Sequence, residues 1–299
     1  MSQMIAERSP DVPFMLSISE RTRLAAGRQL RTDGAGGQIV WHAWAPPPNV
    51  AADAPPLVLF HGGSGSWMHW VRNIVPLLDA GRRVFAVDLP GFGDSEPPAG
   101  GADADAMVAP LADSMAQLFD GQAVDLVGFS FGGMTAGMLL AAHPALARRL
   151  VLVGAPAMGV VPARQFELKG WRHLKTPQEH AEIHRHNLGV LMLHDRDLID
   201  GLALEVHIAN VQRDRLPRRR LAHTDILARS LPRVRCPVHA IYGQHDVLYR
   251  QYIHQLAQRF TETAPDFRGM ALIEGAGHWV QFEAPEAFDA ALLRALSDG

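Results

Sequence analysis

Residues Val124–Pro144 read VDLVGFSFGGMTAGMLLAAHP, and this stretch is the strongest indication of the architecture. It begins with apolar residues that favour a buried strand and continues as a helical pattern rich in Ala, Leu and Met. Between the two lies Gly128-Phe129-Ser130-Phe131-Gly132, which matches G-x-S-x-G. On a tight turn from a strand into a helix, the glycines avoid clashes and the serine hydroxyl is raised to the edge of the sheet. The sequence therefore predicts a nucleophilic serine, Ser130.

Strand and helix patterns alternate along most of the remaining chain. The predicted strands are Ile39–Trp44, Leu57–Phe60, Arg83–Asp88, Val124–Gly128, Leu150–Gly154, Val238–Tyr242 and Met270–Ile273. The predicted helices are Trp67–Leu78, Met107–Phe119, Gly132–Ala142, Leu248–Phe260 and Pro285–Leu296. This alternation is typical of an α/β fold with a mostly parallel central sheet flanked by helices. Residues 1–35 give no clear pattern.

One long segment, residues 156–232, interrupts the alternation. It contains no convincing strand, and Thr176–Met192 and Asp197–Val211 show helical patterns. A segment of this length between two strands is too long for a plain loop. We therefore predict a helical cap over the C-terminal edge of the sheet, inserted into a core domain of residues 1–155 and 233–299.

Composition restricts the classes of partner. The chain has 299 residues, of which 47% are apolar and 20% charged, as is typical of a soluble globular enzyme. A net charge of −3 gives no general attraction to nucleic acids or anionic membranes. Cys236 is the only cysteine, no secretory signal is visible, and no apolar run approaches the ~20 residues of a membrane span. We expect a cytoplasmic protein with neither nucleic-acid nor membrane partners.

Two motifs late in the chain supply candidates for a base and an acid. A serine nucleophile needs a base, and the base needs an acid that orients it; with this turn, the chain order is serine, acid, histidine. Asp246 and His278 each follow a late predicted strand. Because catalytic groups in parallel sheets gather at the C-terminal edge, we predict that Asp246 is the acid and His278 the base. Asp125 and Asp94 are alternative acids, but neither follows a late strand.

A glycine-rich loop suggests how an oxyanion would be bound. The tetrahedral intermediate of acyl transfer needs two N–H donors. One candidate is the amide of Phe131, the residue after the serine. The other is the amide of Gly63, in the loop His61-Gly62-Gly63-Ser64-Gly65-Ser66 that follows Leu57–Phe60. His61 is predicted to hold this loop in place.

Taken together, these motifs resemble those of the α/β-hydrolase fold family. The motifs are HGG at His61–Gly63, DLPGFGDS at Asp88–Ser95, GFSFGG at Gly128–Gly133, GQHD at Gly243–Asp246 and GHW at Gly277–Trp279. The resemblance extends from about residue 39 to the end, apart from the cap. It implies a serine hydrolase with Ser130, Asp246 and His278 as its triad, and neither a cofactor nor a metal is expected.

Three functions are compatible with these motifs. GHWVQFEAPEAF, at Gly277–Phe288, is similar to the corresponding sequence of carbon–carbon hydrolases that act on meta-cleavage products. Those enzymes usually have a small polar residue in place of Phe129, and a Gly-Pro-Gly run where this chain has Gly63-Ser64-Gly65-Ser66. These departures favour a hydrolase of small carboxylic esters. The alternatives are a carbon–carbon hydrolase and a ligand-binding protein with slow or no turnover. Epoxide hydrolases and haloalkane dehalogenases are disfavoured, because they use an aspartate where this chain has Ser130.

The expected partner is a small-molecule substrate, with Phe129, Trp67 and Trp279 as predicted contacts. His180 and His184 have i, i+4 spacing, but no third ligand is evident and no metal site is predicted. The basic run Arg213–Arg220 is predicted to be a solvated edge of the cap, from which one arginine could pair with a substrate carboxylate. A homodimer is compatible with the sequence.

Overall fold

The computed structural model describes residues 11–34, 36–162, 166–216 and 218–297. An eight-stranded sheet forms its centre, in the spatial order β1-β2-β4-β3-β5-β6-β7-β8. The strands are β1 Arg28–Gly34, β2 Gly37–Trp44, β3 Leu57–Phe60, β4 Val84–Asp88, β5 Val124–Phe129, β6 Ala147–Val153, β7 Val238–Gly243 and β8 Phe267–Ile273. The pairings β1–β2 and β2–β4 are antiparallel, and all the others are parallel. The predicted α/β class with a mostly parallel sheet is confirmed.

Helices lie on both faces of this sheet and, within the segment between β6 and β7, over its edge. They are α1 Ile18–Ala25, α2 Ile74–Asp79, α3 Val108–Phe119, α4 Phe131–Ala142, α5 Pro177–Asn187, α6 Leu202–Gln212, α7 Ile226–Ser230, α8 Gln255–Thr263, α9 Val280–Glu283 and α10 Pro285–Ser297. Helices α3, α4 and α8 contribute to one hydrophobic core, and α2 and α10 contribute to the core on the other face. The central strands β3 and β5 are buried at every position, which explains their continuous apolar sequences.

Two predicted helices differ from the structure for reasons of backbone chemistry. The prediction of one helix over Trp67–Leu78 is wrong: a 3₁₀ turn at Trp67–Trp70 precedes α2. Pro76 cannot donate an intrahelical hydrogen bond, so it is tolerated in the first turn of α2 but not deep inside a longer helix. Helix α8 begins at Gln255 rather than Leu248, because Arg250 has a φ of 44°, outside the right-handed helical region.

The segment between β6 and β7 lies over the edge of the sheet that carries Ser130. We call residues 156–232 the cap segment; its described residues contain α5, α6 and α7 and no strand. The predicted helix Thr176–Met192 is α-helical only to Asn187 and continues as a π-helical turn over Leu188–Met192. Among the described residues, no helix is both long enough and apolar enough to cross a membrane.

Candidate active site

Ser130 occupies a strained turn between β5 and α4. Its backbone has φ 51° and ψ −121°, and its amide donates a hydrogen bond to the carbonyl of Val153 at 2.7 Å. A Cβ atom on Gly128 would lie 2.6 Å from Cα of Gly133, and one on Gly132 would press against the carbonyl oxygens of His61 and Phe60. The two glycines therefore allow the close backbone packing that holds the serine in this conformation.

His278 and Asp246 meet Ser130 in one hydrogen-bonded line. The distance from His278 Nε2 to Ser130 Oγ is 2.9 Å, and that from His278 Nδ1 to Asp246 Oδ2 is also 2.9 Å. Asp246 follows β7 and is completely buried, while His278 follows β8 and is 2% exposed. Gly154 makes room for this pair, since a Cβ there would lie 3.2 Å from His278 Nδ1 and 3.3 Å from Asp246 Oδ2. The structure thus brings the three predicted residues into contact.

The surroundings of Asp246 favour its role as a fixed acceptor. Its second oxygen, Oδ1, accepts a hydrogen bond from the amide of Leu248 at 2.9 Å. The nearby hydroxyls of Tyr242 and Tyr249 donate to the carbonyl of Ala155 at 2.8 and 2.6 Å. Burial raises the pKa of both phenols, and the Asp246 carboxylate raises it further. Both tyrosines therefore stay neutral and do not compete with His278 for a proton.

The two alternative acids lie in other interactions. Asp125 is completely buried and forms ion pairs with Arg82 and Arg148, the latter at 2.9 Å. Asp94 pairs with Arg213 at 2.7 Å. Neither carboxylate hydrogen-bonds to His278, whose Nδ1 partner is Asp246.

The loop after β3 presents an amide beside Ser130. Both Gly63 and Phe131 line the cavity that contains Ser130, and neither amide donates a hydrogen bond to another described residue. The imidazole of His61 fixes this loop, because Nδ1 lies 2.7 Å from the carbonyl of Gly62 and Nε2 accepts from the amide of Leu89 at 2.9 Å. Burial lowers the pKa of His61 to about 4, so the ring is neutral at pH 7. These positions leave the Gly63 and Phe131 amides available to a substrate oxygen.

His69 also supports this loop, and its ring lies 6.1 Å from that of His61. Its Nδ1 accepts a hydrogen bond from the amide of Gly62 at 3.1 Å. Burial lowers the pKa of His69 well below its usual value, which keeps the ring neutral and able to accept. No local sequence signal indicates this role, which depends on the short turn Trp67–Trp70 bringing His69 to the amide of Gly62.

A cavity of about 450 Å³ lies above Ser130, between the core and the cap segment. Most of its described lining residues are apolar, among them Met158, Val161, Leu168, Leu191 and Met192. His278, Gly63 and Phe131 also reach it. Arg219 is the only arginine or lysine among the described lining residues. The cavity can therefore hold an uncharged or partly anionic small molecule against the serine.

One of the three predicted substrate contacts reaches the cavity. Phe129 lines it, although its side chain is almost completely buried. Trp67 lies in the core instead, with its ring 5.4 Å from that of Trp44. Trp279 stacks on Phe282 at 4.2 Å and donates from Nε1 to the carbonyl of His69 at 3.0 Å. Both indoles lie away from the cavity because burying their large apolar surfaces stabilises the core.

The cap histidines form a ring cluster without a metal-binding arrangement. The rings of His180 and His184 lie 6.5 Å apart, and His184 lies 5.2 Å from His207 and 5.2 Å from Trp171. Within the described parts of the chain, no group of three or more His, Cys, Asp or Glu residues could hold a metal ion.

The chain matches a known protein family along most of its length. The model of a family described as "Alpha/beta hydrolase family" matches residues 57–291. The chain is 25% identical to a 2-hydroxy-6-oxononadienedioate/2-hydroxy-6-oxononatrienedioate hydrolase of Klebsiella pneumoniae, over 94% of this chain and 99% of that protein. Among solved structures, an esterase from Rhodococcus sp. ECU1013 has a TM-score of 0.71 at 22% identity, covering 91% of this chain and 99% of its own. The carboxylesterase CesB of Bacillus subtilis has a TM-score of 0.70 at 22% identity, covering 91% and 92%.

Proposed function

Because the chain belongs to the alpha/beta hydrolase family, we propose that this hydrolase cleaves small carboxylic esters through an acyl-enzyme formed on Ser130. The observation that carries the proposal is the line from Asp246 through His278 to Ser130, with both hydrogen-bonding distances at 2.9 Å. This arrangement has the parts that activate a serine: a nucleophile, a base within reach of its proton, and a buried acid that orients the base.

In the first half of the reaction, Ser130 Oγ attacks the carbonyl carbon of the ester. His278 Nε2 takes the hydroxyl proton, while Asp246 accepts a hydrogen bond from Nδ1–H and stabilises the imidazolium. The tetrahedral intermediate then collapses: the bond to the leaving oxygen breaks, and His278 transfers its proton to that oxygen. An alcohol leaves, and the acyl group remains on Ser130.

Water completes the reaction by the same route. His278 removes a proton from a water molecule as its oxygen attacks the acyl carbon, and the second tetrahedral intermediate expels Ser130. The proton returns from His278 to Ser130 Oγ, and a carboxylic acid is released. The 2.9 Å between Ser130 Oγ and His278 Nε2 is short enough for the proton transfers between these two atoms.

The amides of Gly63 and Phe131 bind the negative oxygen that develops in both intermediates. Support comes from their position on the cavity wall and from the absence of other acceptors for them among the described residues. The turn also directs the N-terminal end of α4 toward the same point, which adds a favourable dipole. Loss of one such donor typically lowers kcat by roughly 10²–10³-fold.

The size and polarity of the cavity favour a small, mainly apolar ester. A volume of about 450 Å³ lies within the usual range for sites that bind one small molecule. Aliphatic side chains of the cap segment, such as Leu168 and Leu191, would pack on the acyl or alcohol part. The structural similarity to esterases supports the fold that carries this cavity.

Carbon–carbon cleavage of a vinylogous keto-acid is the second candidate. Two observations favour it. The relative from Klebsiella pneumoniae, which aligns along almost the whole chain, is named as the hydrolase of a keto-acid of this kind. Arg219 lines the cavity, where a substrate carboxylate would compete with Asp214 for its guanidinium. Ester cleavage ranks first because Phe129 and the Gly63–Ser66 loop depart from the motifs of the carbon–carbon hydrolases.

The two candidates are separated by assaying the purified protein on p-nitrophenyl acetate and butyrate beside a vinylogous keto-acid. Our proposal predicts ester turnover by the wild type and no turnover above background by Ser130→Ala. Ser297→Ala, a serine in the last turn of α10, is the matched control and should retain wild-type rates. Activity on the keto-acid alone would reverse the ranking, and ester activity that survives Ser130→Ala would refute the proposal.

A further inference from the structure

We propose that Arg219, Asp214 and Ser64 form a latch through which the cap segment positions the Gly63 amide. Ester hydrolysis would then require the cap segment to be docked on the loop after β3. This inference rests on the proposed function, since it concerns the donor that Gly63 supplies. The three residues are positioning residues, because they act through Gly63.

The latch begins at a strained serine next to the proposed donor. Ser64 has φ 51°, a left-handed backbone conformation that is unfavourable for a residue with a side chain. Its hydroxyl donates to Asp214 Oδ2 at 2.5 Å and accepts from Arg219 Nη2 at 3.0 Å. A strained backbone persists only where the surroundings hold it, and here two cap residues do so.

Asp214 and Arg219 are themselves held in one geometry. Nη1 of Arg219 lies 3.0 and 2.9 Å from the two oxygens of Asp214, and it also donates to the carbonyl of Leu216 at 2.7 Å. The amide of Leu216 donates back to Asp214 Oδ1 at 2.8 Å. The side chains of Asp214 and Arg219 are only 7% and 18% exposed, so the pair is largely shielded from water. Such charge-assisted hydrogen bonds fix position strongly.

The guanidinium of Arg219 also lies close to Gly63 and over two aromatic rings. A Cβ atom on Gly63 would be 3.4 Å from Arg219 Nη2 and 3.5 Å from Nε. The same group lies over the rings of Phe92 and Phe131, at 5.0 and 5.6 Å from their centroids. Arg219 therefore packs beside Gly63, while the ring of His69 accepts a hydrogen bond from the amide of Gly62.

The charges of Asp214 and Arg219 balance each other at neutral pH. Burial tends to raise the pKa of Asp214, but the charge of Arg219 and the hydrogen bonds from Ser64 and Leu216 outweigh it, so the net shift is downward. Asp214 is therefore ionised at neutral pH, where it balances Arg219. The latch thus acts by holding a backbone in place rather than by adding net charge to the cavity.

A positioning role predicts a specific kinetic effect. The bound ester carries no oxyanion, which develops only on the way to the tetrahedral intermediate. A misplaced Gly63 amide therefore lowers kcat and leaves KM nearly unchanged. If these contacts only held the cap segment to the core, breaking them would lower the melting temperature and leave kcat unaltered. Asp214 is the cleanest position for this comparison, because it is not among the residues that line the cavity.

The experiment measures kcat, KM and melting temperature on a p-nitrophenyl ester for Ser64→Gly, Asp214→Ala and the double variant. Ser64→Gly removes the hydroxyl while relieving the backbone strain, so it should fold. We expect kcat to fall about 10–100-fold in each single variant, with KM within about threefold of the wild type. The kcat of the double variant should lie no more than about twofold below that of the worse single variant, because both substitutions break the same hydrogen-bonded unit. Arg213→Ala, which breaks the neighbouring pair with Asp94, is the matched control and should retain wild-type kcat.

Two outcomes would overturn the latch while leaving the proposed function intact. One is wild-type kcat in both single variants while Ser130→Ala is inactive. The other is a double variant whose losses multiply, which would mean that Ser64 and Asp214 act independently. Ester activity in Ser130→Ala would instead refute the proposed function itself, so the two failures are distinguishable.

Discussion

His278 Nε2 lies 2.9 Å from Ser130 Oγ, although 148 positions separate these residues in the chain. Ser130 follows β5 and His278 follows β8, two strands that run in the same direction, so their carboxyl ends meet at one edge of the sheet. Asp246 follows β7, which lies between β5 and β8 in the chain, and its carboxylate reaches Nδ1 of His278 at the same edge. The parallel sheet is thus what converts three distant motifs into one site.

Asp246→Asn should lower kcat by about 10⁴-fold with little change in KM. An amide at residue 246 can donate to Nδ1 of His278, which favours the tautomer that cannot accept the Ser130 proton. Steady-state kinetics on a p-nitrophenyl ester measures the effect. Asp94→Asn, at an exposed loop carboxylate, is the control and should retain wild-type kcat. A loss below tenfold in Asp246→Asn would mean that another group orients His278.

Gly132→Ala should strongly destabilise the protein. The new methyl group would meet the carbonyl oxygens of His61 and Phe60, the latter at 2.8 Å, and neither backbone atom can move freely. Gly137→Ala is the matched control in the same helix, because its methyl group meets only the flexible end of Leu227. Urea unfolding should show a change within about 1 kcal/mol for Gly137→Ala and a much larger loss, or no folded protein, for Gly132→Ala. Equal stability of the two variants would contradict the packing described around the turn.

Stability should fall as pH rises through the range in which Asp289 titrates. Burial raises the pKa of this carboxyl to about 7, although a hydrogen bond from Asn73 opposes the shift. Between about pH 4 and 7 the folded state therefore keeps a proton that the unfolded state has released. The free energy of unfolding falls across this range, by up to about 4 kcal/mol at pH 8. Asp289→Asn keeps a polar partner for Asn73 and should remove this slope.

Urea unfolding at pH 5 and pH 8 tests that prediction. The free energy of unfolding should change less between the two pH values in Asp289→Asn than in the wild type. Asp197→Asn, at an exposed position, should behave like the wild type. An identical pH dependence in the wild type and Asp289→Asn would show that Asp289 is ionised in the folded protein.

Leu168→Trp should shift the preference toward short acyl chains. Leu168 belongs to the cap segment and lines the cavity, so an indole there would fill part of its volume. We expect the ratio of kcat/KM for p-nitrophenyl octanoate to that for p-nitrophenyl acetate to fall at least about tenfold. Losing an apolar contact in a substrate pocket has an effect of about this size. Leu198→Trp, outside the described lining, is the control. An unchanged ratio would mean that the acyl chain lies elsewhere.

The fold and the three central residues were predictable because their signals are local. Ser130 is flanked by the glycines that its turn requires, and the loops of Asp246 and His278 each follow an apolar strand. The edge strand β1, Arg28–Gly34, was not predicted because its sequence RQLRTDG is largely polar and only half buried. Edge strands lack the continuous apolar signal of β3 or β5.

The walls of the cavity were less predictable because they depend on long-range packing. Trp67 and Trp279 adjoin the loop and the histidine in sequence, yet their rings turn into the core. Conversely, Arg219 belongs to a basic run whose other arginines have similar local sequence. Only the contact with Asp214 and Ser64 singles it out, and Ser64 lies 155 positions away.

Covalent labelling by a fluorophosphonate probe tests the central claim most directly, because the reaction needs an activated serine and no knowledge of the natural substrate. Mass spectrometry of the labelled peptides should locate a single adduct on Ser130, with no adduct in Ser130→Ala and much slower labelling in His278→Ala. Absence of label on Ser130 in the folded wild type, or undiminished labelling in His278→Ala, would contradict the account.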